Sequence, residues 1–187
     1  MINLLKTHIN LLLHSSKDYI YSFKYSDKES IKINPYDPKS SIIANNLMNE
    51  INKVCPLLKL YLIGSVGLRI EGRGDIDIYA TAPLDKFKEA ILKIATVFGK
   101  PVKIRKNQAE WKFKYNCFSV EIVLTNPQDK SFLKQIRLFN LLKNNKLYLR
   151  EYRNLKNGLN NRSEKEYIRK RMEFFNRILS SNLDTSN

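Results

Sequence analysis

Leu60-Tyr61-Leu62-Ile63-Gly64-Ser65, followed by Gly74-Asp75-Ile76-Asp77-Ile78-Tyr79, decides how this chain folds. Each half is an apolar run of strand length with small residues at one end. Successive side chains of a strand point to opposite faces, so Asp75 and Asp77 share one face and Ile76 and Ile78 the other. Two carboxylates about 7 Å apart along a strand repel each other unless a cation neutralises them. Mg²⁺ or Mn²⁺ suits such a pair, since Mg²⁺ takes hard oxygen ligands and is held by one or two carboxylates plus substrate phosphates. Gly64-Ser65 offers backbone N–H groups, a hydroxyl and no bulk, which is what a phosphate needs. A phosphate cradle followed by a metal-binding strand reads as phosphoryl or nucleotidyl transfer. The competing reading is a strand-entry turn with solvated acids and Ser65 as an ordinary helix cap.

Working outward, a third carboxylate is expected on a neighbouring strand. Glu121 fits, between Val120 and Ile122 in Phe118-Ser119-Val120-Glu121-Ile122-Val123-Leu124. An acid inside an apolar strand is costly to bury unless it is paired or metal-bound. Otherwise Glu121 faces solvent or meets a lysine. Glu110, on the preceding strand, is the second choice. Arg69 and Arg73, in the spacer between the two halves, are placed to hold triphosphate oxygens if they are not simply solvated.

These residues resemble the signature of the DNA polymerase β-type nucleotidyltransferases, a hydrophobic-Gly-Ser, a spacer, then Asp-hydrophobic-Asp-hydrophobic. That resemblance implies a mixed sheet on which Asp75, Asp77 and a third acid, here Glu121, bind Mg²⁺. A narrower resemblance covers roughly residues 31 to 180. Ile33-Asn34-Pro35-Tyr36-Asp37-Pro38, Arg150-Glu151-Tyr152-Arg153-Asn154-Leu155-Lys156 and Glu166-Tyr167…Arg171…Phe174 are similar, in order, to segments of the GrpB family. Lys156 and Arg171 stand where that resemblance holds basic residues, which makes them candidates for triphosphate or acceptor contacts. The chain departs from the family where the spacer lacks prolines and where the full Asp75-x-Asp77 pair is present. It also places Phe139, Asn140 and Lys143 at the Arg, Asp and second Arg of a family helix. The reading is a divergent GrpB-like nucleotidyltransferase.

A length of 187 residues with 43% hydrophobic content, ten Tyr and nine Phe is enough to bury a substantial core, which argues against disorder. No apolar run reaches the ~18 residues needed to span a bilayer, and the start lacks a cationic leader, so no membrane and no secretion is expected. Cys55 and Cys117 have no metal-ligand spacing and read as reduced core residues of a cytoplasmic protein. The net charge of +15 favours phosphate-rich partners, through counterion release, or reflects only a Lys-, Asn- and Ile-rich composition.

The fold class expected is α/β, a nucleotidyltransferase-like mixed sheet packed with helices, plus a helical C-terminal segment. An amphipathic N-terminal helix over 2–14 and a connector fill residues 1–30, the family-like domain 31–180, and a frayed tail 181–187. Ser40 or Ser41 is expected to cap a helix running to about Val54. Strands follow at 58–63, 75–81, 102–105, 110–115 and 118–124, with a helix to Phe98 ended by Gly99. From Gln128 on, the pattern is helical in two or three segments, broken near Asn157-Gly158 and Asn160-Asn161. Thirteen Lys or Arg against four Glu lie between Lys134 and Arg177, interleaved with apolar residues at helical spacing.

The expected activity is two-metal-assisted attack of an acceptor hydroxyl on the α-phosphate of a nucleoside triphosphate, releasing pyrophosphate. RNA, a protein and a small molecule all remain open as acceptor. The alternative is a nucleotide- or RNA-binding protein that keeps the fold without turnover.

Overall fold

Alternating apolar residues in the strand segments give one sheet face to the core. In the computed structural model, which describes residues 25–181, five strands form a mixed sheet in the order β1-β2-β5-β4-β3. They are β1 (Lys59–Ile63), β2 (Ile76–Thr81), β3 (Lys103–Arg105), β4 (Gln108–Tyr115) and β5 (Phe118–Thr125). All neighbours are antiparallel except β2 and β5, whose parallel pairing sets Asp77 opposite Glu121. The expected α/β class is what the chain adopts. The expected amphipathic helix over 2–14 lies outside the described residues.

The contacts divide the described residues into two compact units, one spanning 34–143 and the other joining 25–33 to 144–181. In the sheet unit, Ile76, Ile78, Ala80, Val120, Ile122, Leu124, Ala109 and Trp111 form the buried face. They pack with α1 (Pro38–Val54) and α3 (Phe87–Phe98) through Ile43, Ala44, Leu47, Ile51, Phe87, Ala90 and Ile94. Trp111 is 1% exposed, and its indole Nε1 donates to the Gly99 carbonyl at 2.8 Å, so burying its ring strands no polar group.

The start of α1 corrects the expected cap. Asp37, not Ser40 or Ser41, is the N-cap, its Oδ1 accepting from the Lys39 N–H at 2.9 Å, with Pro38 opening the helix. Such a cap contributes about 1 kcal/mol. Ser40 is buried and its hydroxyl donates back to the Asp37 carbonyl, while Ser41 meets the Tyr36 hydroxyl.

Cys55 is buried, but Cys117 is exposed. It sits in the two-residue turn between Tyr115 and Phe118, where Asn116 takes φ 54°, so the expectation of a second core thiol fails.

The C-terminal run forms three helices, within the two or three expected, but one of its breaks falls at Asn145 rather than at the expected positions. α4 (Lys130–Asn144) ends where the Asn145 side chain accepts from the Leu147 and Tyr148 N–H groups and starts α5 (Lys146–Gly158). α5 and α6 (Glu164–Ser181) form the helical unit, with Tyr152 stacked on Phe174 at 5.6 Å. The expected break at Asn160-Asn161 has a job there. Asn160 Oδ1 accepts from the Ile33 N–H, and the Asn161 N–H donates to the Ile31 carbonyl. Ile31 and Ile33 are thereby held against Leu159, Tyr167 and Ile168. No helix among the described residues is long and apolar enough to cross a membrane.

Candidate functional site

The sheet face opposite the core carries the chemistry. Because paired residues share a face, one row across the sheet reads Ile63, Asp77, Glu121 and Lys112. Asp75, just before β2, joins this row at the rim of a cleft of about 400 Å³. Arg73, Asp75, Asp77, Lys112, Lys114, Ser119 and Glu121 line it.

The backbone around Gly64 explains why Asp77 stands where it does. β1 runs directly into the short helix α2 (Gly64–Leu68), and Gly64 takes φ +66°. A Cβ at this position would overlap the Asp77 carboxylate. Only glycine lets the carboxylate lie against the chain at this bend. Gly67, one residue further into α2 than Val66, is confined differently: a Cβ there would lie 2.5 Å from the Leu62 carbonyl oxygen and 3.0 Å from the Phe139 ring. Phe139 thus packs on α2, with the Lys143 ammonium 5.9 Å from its ring centre.

Cations engage Asp75 and Glu121, and Asp77 is not without an interaction either. Arg73 Nη2 lies 2.7 Å from Asp75 Oδ2, and Lys112 Nζ lies 2.9 Å from Glu121 Oε1. The Glu121 hydrogen bond holds the Lys112 ammonium above its usual pKa. Side-chain exposures run from 31% to 56%, so these are solvent-screened pairs, each contributing ~0–1 kcal/mol. Glu110, the second choice for the third acid, is held instead by Arg105 Nη1 at 2.7 Å.

Tyr79 lies on the same face, between the ring of Phe132 and the acidic row. Burial, then the charges of Glu121, Asp77, Glu110 and Asp129, push its phenol up to about 12. Its folded-state pKa is raised above the unfolded value near 10. Stability from this group is therefore complete below pH ~10 and is lost as pH rises toward 12. Denaturant melts between these pH values should show the loss, and Tyr79→Phe should flatten it. An equally steep fall in that variant would place the effect elsewhere.

Whether a divalent cation fits can be judged from the donors. Three carboxylates facing one cleft are the hard-oxygen set that Mg²⁺ or Mn²⁺ takes. Yet among the described residues no three acidic, His or Cys side chains are close enough to ligate one ion. The donor chemistry fits, provided the Arg73 and Lys112 pairs open.

The other expected residues are placed as follows. Ser65 follows Gly64 in α2, half-buried, and its carbonyl accepts from the Ile70 N–H at 3.0 Å. Arg69 ends α2 in the left-handed conformation, exposed, and is not among the residues lining the cleft. Lys156 and Arg171 belong to the helical unit. Lys156 is fully buried with its ammonium 5.2 Å from the Tyr152 ring centre. The Arg171 guanidinium lies over the rings of Tyr167 and Phe175. A fully buried ammonium cannot meet a phosphate unless its helices part, so Lys156 reads better as a cation–π brace of that unit, whereas Arg171 is only half-buried.

Sequence reasoning missed Lys112, Lys114 and Ser119 as lining residues. The signal was present in β4, where Lys112 and Lys114 alternate with Trp111 and Phe113 and so share the face opposite the core.

Neither a protein-family model nor a curated protein matches the chain. Solved structures of low identity do. The Cid1 poly(U) polymerase with MgGTP bound is 12% identical over 69% of this chain and 45% of its own, with a TM-score of 0.41. A structure of Cid1 addressing its RNA terminal uridylyl transferase activity is 11% identical over 69% and 43%, with a TM-score of 0.43. A cytoplasmic RNA terminal U-transferase is 14% identical over 70% and 44%, with a TM-score of 0.37. The chain spans less than half the length of these structures. At these scores the likeness assigns no residue and no activity here.

Proposed function

We propose that the chain is a divalent-metal-dependent nucleotidyltransferase, a divergent relative of the GrpB family, acting on an acceptor hydroxyl. The observation that carries this reading is the seat of Asp77. Its carboxylate lies against Gly64 of the Gly-Ser bend and is set beside Glu121 by the one parallel pairing of the sheet. A phosphate lodged at the bend would therefore sit next to two acids on adjacent strands.

Asp75, Asp77 and Glu121 would hold Mg²⁺ or Mn²⁺. Bound there, the cation would neutralise phosphate charge and make an acceptor hydroxyl more acidic. A phosphate would be met by the Ser65 hydroxyl and the Arg73 guanidinium, with Gly64 leaving room for the Asp77 carboxylate beside it. Glu121 takes the proton of the acceptor hydroxyl, whose oxygen attacks the α-phosphorus as pyrophosphate leaves. The chain's part in this is mainly positioning and charge. With a net charge of +15, RNA is a fitting acceptor, and a protein acceptor is the second choice.

One observation favours a second reading, a nucleotide- or RNA-binding protein without turnover: Asp75 and Glu121 are already ion-paired. Incubation with each α-labelled nucleoside triphosphate, Mg²⁺ or Mn²⁺ and total cellular RNA or protein separates the two. Label transfer to a macromolecule supports the transferase and identifies its acceptor. Triphosphate binding without transfer supports the binder.

A further inference from the structure

The cleft lining is charge-balanced in an unusual way. Arg73, Lys112 and Lys114 line the cleft with Asp75, Asp77 and Glu121; Arg73 pairs with Asp75 two residues on, and Lys112 with Glu121 across the sheet. Lys112 and Glu121 are cross-strand partners on β4 and β5, so neither can leave the other's neighbourhood; they can only change what they touch. A divalent cation bound by itself would take the carboxylates and leave up to three like charges around it. A polyphosphate bound by itself would take the cations and face three bare acids. Each ligand alone breaks pairs without replacing them. Both together satisfy every group, the acids on the metal and the cations on phosphate oxygens.

We infer that Lys112 is a phosphate-binding residue that exchanges partners, holding Glu121 until metal and polyphosphate arrive together, so that the two ligands bind with strong positive coupling. The inference rests on the nucleotidyltransferase reading and adds to it a residue and a binding order. Arg73 does the same for Asp75. Lys114, two residues on along β4 at the same cleft, has no ion pair among the described residues and adds a further cation for the phosphates. The exchange is easy because both pairs are solvent-screened. Coupling between two ligands is reciprocal, so whatever the metal does for polyphosphate affinity, polyphosphate does for the metal.

The test uses the full chain, Mn²⁺ and inorganic tripolyphosphate, measured by calorimetry as separate ligands and as their preformed complex. The complex should bind at least roughly tenfold tighter than either component. Lys112→Ala lies at an exposed position and should melt like the parent. It should bind Mn²⁺ alone several-fold tighter, because Glu121 is released, yet bind the complex several-fold more weakly. Opposite signs from one substitution are not what a structural role produces. In a Glu121→Gln background the gain for Mn²⁺ should vanish. If Lys112→Ala moves neither affinity, or moves both in one direction, the exchange is overturned while the transferase reading stands. If the parent chain binds neither ligand in any combination, both fall together.

Discussion

Asp77→Asn is expected to abolish label transfer, by at least about a thousandfold, while the chain melts near the temperature of the parent. The activity loss follows from removing the charge that faces the Gly-Ser bend. A stabilisation of about 4 kcal/mol withdrawn from the transition state is a thousandfold in rate. The stability follows from two opposed terms: neutralising Asp77 relieves its repulsion with Glu121 and Asp75, and that offsets the interactions its charge makes. Asparagine has nearly the same shape and leaves the β2–β5 ladder intact. Initial rates with the labelled triphosphate and a thermal melt check both halves. Unchanged transfer would remove Asp77 from the chemistry. A melt lowered by more than ~5 °C would make it a structural residue.

Gly64→Ala and Gly67→Ala should separate the two tasks of α2. At Gly64 the new methyl meets the end of a side chain, the Asp77 carboxylate, in a backbone conformation of φ +66°. The left-handed conformation costs about 1–2 kcal/mol for alanine, and the carboxylate must swing away. Transfer should be lost nearly as completely as in Asp77→Asn, with a modest fall in stability. At Gly67 the methyl meets the Leu62 carbonyl, which is backbone and cannot turn aside. Overpacking of that kind costs about 1–3 kcal/mol. Here the melting temperature should fall by several degrees, with activity per folded molecule kept. Both variants are read by melts and by transfer rate normalised to folded protein. If Gly64→Ala transfers label at the parental rate, the carboxylate does not need its seat on the bend.

The parts of this picture that follow from local rules could be read in the chain before any coordinates. The alternation in β2 and β5 put Asp77 and Glu121 on polar faces, and the Gly64 bend announced itself between two apolar runs. Features that depend on register could not be read. Nothing in the order of residues says that Lys112 pairs with Glu121, because that requires knowing that β4 lies antiparallel to β5 with those residues opposed. The cation–π contacts were equally hidden: the spacing of Lys156 and Arg171 is that of a solvated face, and only packing places their charged ends against Tyr152, Tyr167 and Phe175. The split at Asn145 was missed because apolar spacing continues across it, whereas the stop comes from one side chain capping two N–H groups.

The brevity of β3 reaches beyond the site. Its three residues, Lys103, Ile104 and Arg105, are all exposed and form the outer border of the sheet. A border with unpaired backbone groups invites a second copy to dock strand upon strand. A strand of three residues with a lysine and an arginine around a lone isoleucine offers little for such docking, so this border disfavours fibril growth.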